Sequence, residues 1–160
     1  MTAANRIFFS YRSRDRDNAQ RLVDHLKESR LDVWFDVYEI RVGDNIINKL
    51  QEGVIRATHM MILISRSYFN SGYTEAEYQS FFNSLRGKLS GRLFLILKDV
   101  QHSLLSKKAS FLINYRFCRW SDGVENITKQ ILTSLPVTRS PIMRIDIINL
   151  FRTFDIRVPI

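Results

Sequence analysis

The sequence predicts a single α/β domain in which a five-stranded parallel sheet is covered by helices on both faces. Short apolar runs of strand length alternate along the chain with longer stretches in which apolar residues recur every three or four positions. The run HMMILIS (59–65) is apolar almost throughout, which is typical of a strand in the middle of a parallel sheet. This alternation indicates βαβ units, whose right-handed crossovers place helices on both sheet faces.

The first half of the chain contains three predicted strands, RIFFS (6–10), LDVWF (31–35) and HMMILIS (59–65). A helix is predicted over 15–29, because one of its faces collects the apolar residues Ala19, Leu22, Val23 and Leu26. A second apolar helix face is formed by Ile46, Ile47, Leu50, Val54 and Ile55. Segment 36–44 breaks the periodicity with acidic residues and Gly43, so we expect an exposed loop there.

The second half of the chain completes the sheet. A helix is predicted over 72–86 with one face formed by Tyr78, Phe82 and Leu85. A strand over 91–100, a polar link over 101–109 and a strand over 111–120 follow. The closing helix over 125–135 carries Ile127, Ile131 and Leu135 in register. The predicted domain therefore covers 1–135.

Residues 136–160 do not fit the alternating pattern. Two prolines bracket a short stretch before another apolar, helix-like run. We interpret this segment as a linker and helical extension that begins a further domain. The alternative is that it packs back on the first domain.

Composition narrows the classes of protein. A chain of 160 residues with 45% hydrophobic residues has the size and composition of one globular domain, which excludes a disordered or fibrous protein. The single cysteine, Cys118, cannot form an internal disulfide, and no cluster of cysteine or histidine predicts a metal site. We expect a buried, inert thiol.

Charge and hydropathy indicate possible surroundings. The net charge is +8, but the basic residues are spread without a polybasic block, so a solvated basic surface is favoured over a nucleic-acid interface. No apolar run reaches the roughly 20 residues of a membrane span, and the first residues lack a secretory signal pattern. We expect a cytoplasmic protein without membrane contact.

A ligand site is expected at one edge of the sheet. In doubly wound sheets ligands bind beyond the carboxyl ends of the strands. This rule places Tyr11, Asp36 and segment 65–73 on one rim. The motifs GxGxxG, GxxxxGK[ST] and HExxH do not occur, so a Rossmann dinucleotide site, a P-loop and a zinc protease are unsupported.

Three segments together resemble a known family. RIFFSYRSRD (6–15), LDVWFDVYEIRVGD (31–44) and ILISRSYFNSGYTEAEYQSF (62–81) are similar to the Toll/interleukin-1 receptor (TIR) domain, especially to its prokaryotic members. They occur in the order that this flavodoxin-like fold requires, and the resemblance covers about 6–135. Two departures are visible: Tyr73 stands where the family usually has tryptophan, and Arg30 stands where it usually has glycine before the second strand.

The resemblance implies an activity. Many TIR domains cleave NAD+ at the nicotinamide–ribose bond with a glutamate four residues after an aromatic residue, which here are Glu77 and Tyr73. The family's SYR motif corresponds to Ser10, Tyr11 and Arg12, and its loop after the second strand to 36–44 with Gly43. NAD+ is then a substrate and no cofactor is implied. The product, linear or cyclic ADP-ribose, stays open.

The resemblance also implies partners. Activity in the family usually depends on self-association, in which the 36–44 loop of one subunit completes or opens the pocket of another, and it serves prokaryotic defence or signalling. Adaptor TIR domains, which only bind other TIR domains, often lack the glutamate. The alternative function is therefore a non-catalytic scaffold, and a basic nucleic-acid-binding module is a third possibility carried by charge alone.

The residues themselves leave the role of Glu77 open. Thr74 and Glu77 fit a capping box, in which the glutamate only binds a backbone amide. If Ser71 is the cap instead, Glu77 lies one turn beyond Tyr73 on the same helix face. One carboxylate suffices for the chemistry, because nicotinamide leaves a cationic pyridinium as a neutral molecule.

The other candidates also have two possible roles each. Arg12 can bind a pyrophosphate or stay solvated, and Tyr11 can stack on a ring or pack at the rim. Asp36 can contact a substrate hydroxyl or cap its loop, and Ser65 can reach the crevice or satisfy a turn. For Trp34 and Phe35 we expect core packing.

Overall fold

The computed structural model describes residues 5–35, 42–43, 49, 52–53, 55–69, 79, 83 and 91–136. Five parallel strands form one sheet: β1 (Arg6–Ser10), β2 (Asp32–Trp34), β3 (His59–Ser65), β4 (Leu93–Lys98) and β5 (Phe117–Arg119). Their order is β2-β1-β3-β4-β5. The prediction of a five-stranded parallel sheet flanked by helices is thereby confirmed.

Three helices have described bounds: α1 (Arg16–Glu28), α2 (His102–Lys108) and α3 (Val124–Ser134). Further helical residues are described at single positions, namely Lys49, Glu52, Gly53, Ile55, Arg56, Gln79 and Asn83. Within the described ranges, no helix has both the length and the apolar composition needed to cross a membrane.

The core lies in two layers, one on each face of the sheet. Successive residues of β1 point to opposite faces, so Ile7 and Phe9 pack with α1 and α3, whereas Phe8 packs on the other face. On that second face the Phe8 and Trp34 rings stack with centroids 5.0 Å apart. All seven residues of β3 are buried, as the continuous apolar run predicted. The core roles predicted for Trp34 and Phe35 are confirmed.

Helix α1 ends in a Schellman motif. The amide of Leu31 donates to the carbonyl of Leu26 (3.0 Å), and the amide of Arg30 donates to that of Lys27 (2.9 Å). This geometry requires a left-handed residue at the position of Arg30, whose φ is 63°. The four residues predicted for the buried face, Ala19, Leu22, Val23 and Leu26, are all buried. The motif turns the chain directly into β2.

Three local predictions are wrong. The polar link at 101–109 contains α2, which the sequence pattern missed because only Leu104 and Leu105 are apolar within it. The strand predicted over 111–120 is only Phe117–Arg119, since the preceding apolar residues pack around a single turn, Ser110–Leu112. Ile55 does not belong to a buried helix face: 71% of its surface is exposed, and Gly53 is the buried neighbour of Trp34.

The amino-terminal edge of the sheet is closed by polar side chains around His59. The amide of Arg92 donates to Nδ1 of His59 (2.8 Å), so Nε2 carries the proton and donates to Oδ1 of Asn5 (3.1 Å). The amide nitrogen of the Asn5 side chain donates in turn to the carbonyl of Pro136 (3.1 Å). The entry to β1 and the end of the described chain are thus joined by one side chain.

Candidate functional site

The sheet order changes direction between β1 and β3. From β1 the chain moves outward to β2 on one side and then returns to β3 on the other. In open parallel sheets such a switch point opens a crevice beyond the carboxyl ends of the two strands. Ser10, Tyr11 and Arg12 continue from β1 at this end, and Ser65 and Arg66 lie at the end of β3. The structure therefore brings these sequence-predicted residues to one edge.

Tyr11 is half-buried and contacts the core with its ring. Its centroid lies 5.2 Å from that of Phe35 and 5.5 Å from that of Phe9. Aromatic pairs at these tilted geometries are favourable beyond their buried area. The ring of Tyr11 thus packs against two buried rings at the edge of the sheet, and its stacking on a ligand stays a prediction.

Basic side chains follow three of the strands at this edge. Arg12 comes after β1, Arg66 directly follows β3, and Lys98 ends β4. Nε of Arg66 donates to the carbonyl of Asp99 (3.2 Å). The guanidinium of Arg12, which is half-buried, has neither a hydrogen bond nor an ion pair with the described part of the chain. A guanidinium group can bind an anion with two parallel hydrogen bonds, and such a role for Arg12 stays a prediction.

A buried polar cluster lies beneath the same edge. Asp15, only 5% exposed, accepts hydrogen bonds from the hydroxyls of Ser65 and Ser67, the latter at 2.6 Å. Its other carboxylate oxygen lies 3.6 Å from Nζ of Lys98. We refer to Asp15, Ser65, Ser67 and Lys98 as the Asp15 cluster. It joins the segment that follows β1 to the carboxyl ends of β3 and β4.

Ser65 has a defined partner in this cluster. Its side chain is almost fully buried, and its hydroxyl binds Asp15 and lies 2.7 Å from that of Ser67. The partners of its hydroxyl are thus a carboxylate 50 positions away in the sequence and a neighbouring hydroxyl. Contact between Ser65 and a substrate stays a prediction.

Gly43 and Val42 are the described residues of the 36–44 loop. Gly43 has a φ of 94°, a conformation that favours glycine, and space is open around it. Both residues are exposed, and Val42 is fully so. The predicted exposure of the loop is confirmed at these two positions, while the binding role of Gly43 stays a prediction.

Three predicted site residues, Asp36, Tyr73 and Glu77, lie outside the described residues. Of the predicted helix over 72–86, Gln79 and Asn83 are described, and both are helical and exposed. Residue 77 follows the described turn Arg66–Phe69 by eight positions in the sequence. The roles of Tyr73 and Glu77 therefore stay predictions from the sequence.

Sequence reasoning missed Asp15 as a site-edge residue. The sequence pattern places Asp15 at the start of a helix, and in the structure its carboxylate is directed toward Ser65 of β3 and Lys98 of β4. A Ser-x-Ser pair after a buried strand, together with a lone acid before the first helix, was the available signal. Neither pattern predicts a partner without the fold, because the residues lie 50 and 52 positions apart.

Cys118 is half-buried rather than fully buried. Its thiol lies 3.5 Å from Oε1 of Gln130. Burial raises the pKa of the Cys118 thiol, Asp122 raises it further, and Arg116 opposes the rise. The thiol is therefore mostly protonated at neutral pH, which agrees with the inert role predicted for it. In the described ranges, no three residues among histidines, cysteines and acids form a group that could hold a metal ion.

Comparisons with known proteins agree with this architecture. A 2' cyclic ADP-D-ribose synthase, BtTIR of Bacteroides thetaiotaomicron, is 32% identical over 72 residues, which are 44% of this chain and 25% of that protein. The NAD(+) hydrolase TcpC of Escherichia coli is 29% identical over 78 residues, 48% of this chain and 25% of that protein. The matches thus span about a quarter of the length of these relatives.

The fold matches solved TIR structures. The TIR domains of the activated Roq1 resistosome superpose with a TM-score of 0.65 at 15% identity, covering 81% of this chain and 98% of that chain. At this identity the match concerns the fold alone. A family model described as TIR domain matches residues 7–130. Because that match spans most of the sequence, the chain belongs to the TIR domain family.

Proposed function

We propose that this TIR domain is an NAD+ glycohydrolase with Glu77 as its catalytic carboxylate. The observation that carries the proposal is the Tyr73–Glu77 spacing in the sequence after β3, a strand whose carboxyl end lies where the sheet order switches. Relatives named as 2' cyclic ADP-D-ribose synthase and NAD(+) hydrolase align with this chain, which supports NAD+ as the substrate.

The reaction needs little from the protein beyond one well-placed charge. The bond between C1′ of the ribose and the nicotinamide nitrogen breaks, and its electron pair leaves with nicotinamide, which becomes neutral. The ribose develops oxocarbenium character, which a carboxylate stabilises directly or by orienting the ribose hydroxyls. Water, or a hydroxyl of the same dinucleotide, then attacks C1′ and releases a proton. The first route gives ADP-ribose and the second a cyclic product.

Other residues at the edge have proposed binding roles. The guanidinium of Arg12, which has no ion pair with the described residues, suits the pyrophosphate, and the ring of Tyr11, which packs on Phe35, suits a base. We assign Tyr73 to stacking against a ring and Asp36 to a ribose hydroxyl. Gly43 permits the turn in the loop beside the pocket, and Ser65 borders it from below.

The test is release of nicotinamide by concentrated protein, with Glu77→Gln beside the wild type. Loss of a preorganised charge from the transition state should lower the rate about 100-fold or more. Glu75→Gln is the matched control, since in the predicted helix over 72–86 a residue two positions away falls on another face. The control should keep its rate, and all three proteins should unfold at the same temperature. Equal rates for Glu77→Gln and wild type would remove Glu77 from the mechanism.

Self-association is the proposed condition for activity. Val42 is a fully exposed apolar side chain at the loop after β2, which favours a contact with another protein surface. We propose that this surface is a second copy of the domain. NAD+ loss or a cyclic product then serves prokaryotic defence or signalling in the cytoplasm, where NAD+ is available.

The same exposed loop favours the second candidate, a non-catalytic scaffold that binds other TIR domains. The two functions differ in one observable: a scaffold assembles without releasing nicotinamide. Assembly detected by sedimentation together with no turnover in wild type would therefore select the scaffold.

A further inference from the structure

Asp15 occupies a position that normally caps a helix, yet its side chain does not do so. It is the residue before α1, and no hydrogen bond runs from its carboxylate to the first amides of that helix. Aspartate is favoured at this position because it usually makes that bond. Here both carboxylate oxygens are directed across the sheet edge instead, one to Ser65 and Ser67 and one toward Lys98.

The contacts of Asp15 connect segments that are far apart in sequence. Asp15 belongs to the turn Ser13–Asp15, which begins directly after Tyr11 and Arg12. Ser67 belongs to the turn Arg66–Phe69, from which the chain continues toward Tyr73 and Glu77. One carboxylate therefore links the segment after β1 to the segment after β3, across the switch point.

The burial and charge of the Asp15 cluster make the link between the two segments depend on these particular side chains. A carboxylate that is 5% exposed has lost most of its water, so it depends on the two hydroxyls and the ammonium group for compensation. Lys98, whose side chain is 21% exposed, also lies 3.3 Å from Asp99. Hydrogen bonds to a charged acceptor are stronger and more directional than neutral ones. A change at Asp15 therefore alters the geometry of both segments together.

We infer that Asp15 is a positioning residue that holds the segments on either side of the candidate site, 11–15 and 65–69, in one fixed arrangement. The inference rests on the proposed function for its catalytic consequence: Arg12 and the chain leading to Glu77 keep the spacing that cleavage of NAD+ needs. Displacement of a reacting group by about 1 Å can reduce a rate about 100-fold.

The principal test is Asp15→Asn, with hydrogen exchange and nicotinamide release measured on the same preparation. The amide turns an NH2 group toward Lys98 or toward the two hydroxyls, so one side of the cluster loses its acceptor. We expect faster exchange in 11–15 and 65–69, unchanged exchange in α3, and kcat reduced about 10- to 100-fold per folded molecule with KM changed less. Asp17→Asn removes an exposed acid from the first turn of α1 and should leave the exchange rates, kcat and KM unchanged.

A milder variant keeps the inference testable if Asp15→Asn folds poorly. Ser67→Ala deletes one of the two hydroxyl partners from a half-buried site. It should lower kcat a few-fold and make exchange in 65–69 faster, as Asp15→Asn does.

The outcomes separate this inference from the proposed function. Unchanged exchange in 11–15 and 65–69 in both variants overturns the positioning role. The role is also overturned if exchange becomes faster in α3 as well and the fall in kcat is explained entirely by a smaller fraction of folded protein. A wild-type protein that releases no nicotinamide overturns the proposed function and the catalytic consequence. The exchange result then still decides whether Asp15 holds the two segments together.

Discussion

Arg30 adopts a backbone conformation that suits glycine better than arginine. Its φ of 63° closes the Schellman motif at the end of α1, and its side chain is exposed. For a residue with a Cβ the left-handed region costs roughly 1–2 kcal/mol, which glycine avoids. The family resemblance implies glycine at this position, and the left-handed backbone conformation of Arg30 gives the physical reason.

Arg30→Gly should therefore stabilise the domain. Relief of the left-handed strain outweighs the greater freedom that glycine has in the unfolded chain, leaving a gain of about 0.5–1 kcal/mol in the free energy of unfolding. Urea denaturation measures this gain. Ser29→Gly is the neighbouring control, because Ser29 has an ordinary φ of −82° and should gain nothing. An Arg30→Gly midpoint at or below that of wild type would contradict the explanation.

Among the elements, the pairing of β3 with β4 leaves no space at its amino-terminal end. The amide of Gly91 donates to the carbonyl of Thr58 (2.7 Å), and the next amide binds the ring of His59. A Cβ added at Gly91 would overlap both the His59 ring and the Thr58 carbonyl. The glycine is thus required by a close approach of two chain segments.

Gly91→Ala should lower the free energy of unfolding by about 1–3 kcal/mol, because His59 and the backbone at Thr58 must shift. Thermal unfolding would show this as a lower midpoint. Arg92→Ala tests the adjacent exposed position and keeps the backbone amide that binds His59, so it should unfold close to wild type. Equal midpoints for Gly91→Ala and Arg92→Ala would show that His59 and the backbone at Thr58 make room for a Cβ without loss of stability.

The sequence predicted some elements well and others poorly for physical reasons. Strand β3 was predicted with its observed bounds because a strand buried on both faces must be apolar throughout. Helix α2 carries few apolar residues, and the strand at 111–120 was overestimated because an apolar turn and a buried strand have similar composition. The local sequence pattern does not show which apolar residues belong to a hydrogen-bonded strand and which only pack against the sheet.

The candidate site divides in the same way. Tyr11, Arg12 and Ser65 could be placed at the sheet edge from the sequence, since each follows or ends a parallel strand. The Asp15 cluster could not, because its contacts depend on how the segments after β1, β3 and β4 meet in space. Contacts between side chains at the edge of a sheet can be predicted only when the pairing of the strands is known.

For the whole molecule, the exposed loop after β2 gives a prediction about assembly. Val42→Asp places a charge where the proposed contact between copies would bury an apolar group. We expect weaker self-association in sedimentation and about tenfold less nicotinamide release at high protein concentration, equivalent to about 1.4 kcal/mol of contact. Leu132→Asp makes the same change at an exposed position on α3 and should not affect either quantity. Unchanged assembly in Val42→Asp would exclude this loop from the contact.

The hydrogen bond between Asn5 and Pro136 determines where another polypeptide can be fused to this domain. Asn5 precedes β1 and Pro136 follows α3, and both lie at the amino-terminal edge of the sheet, while the candidate site is at the opposite edge. Adjacent ends allow a domain to be inserted into a host or circularly permuted without stretching its core. A polypeptide fused at Pro136 would therefore start at the edge of the sheet opposite the candidate site.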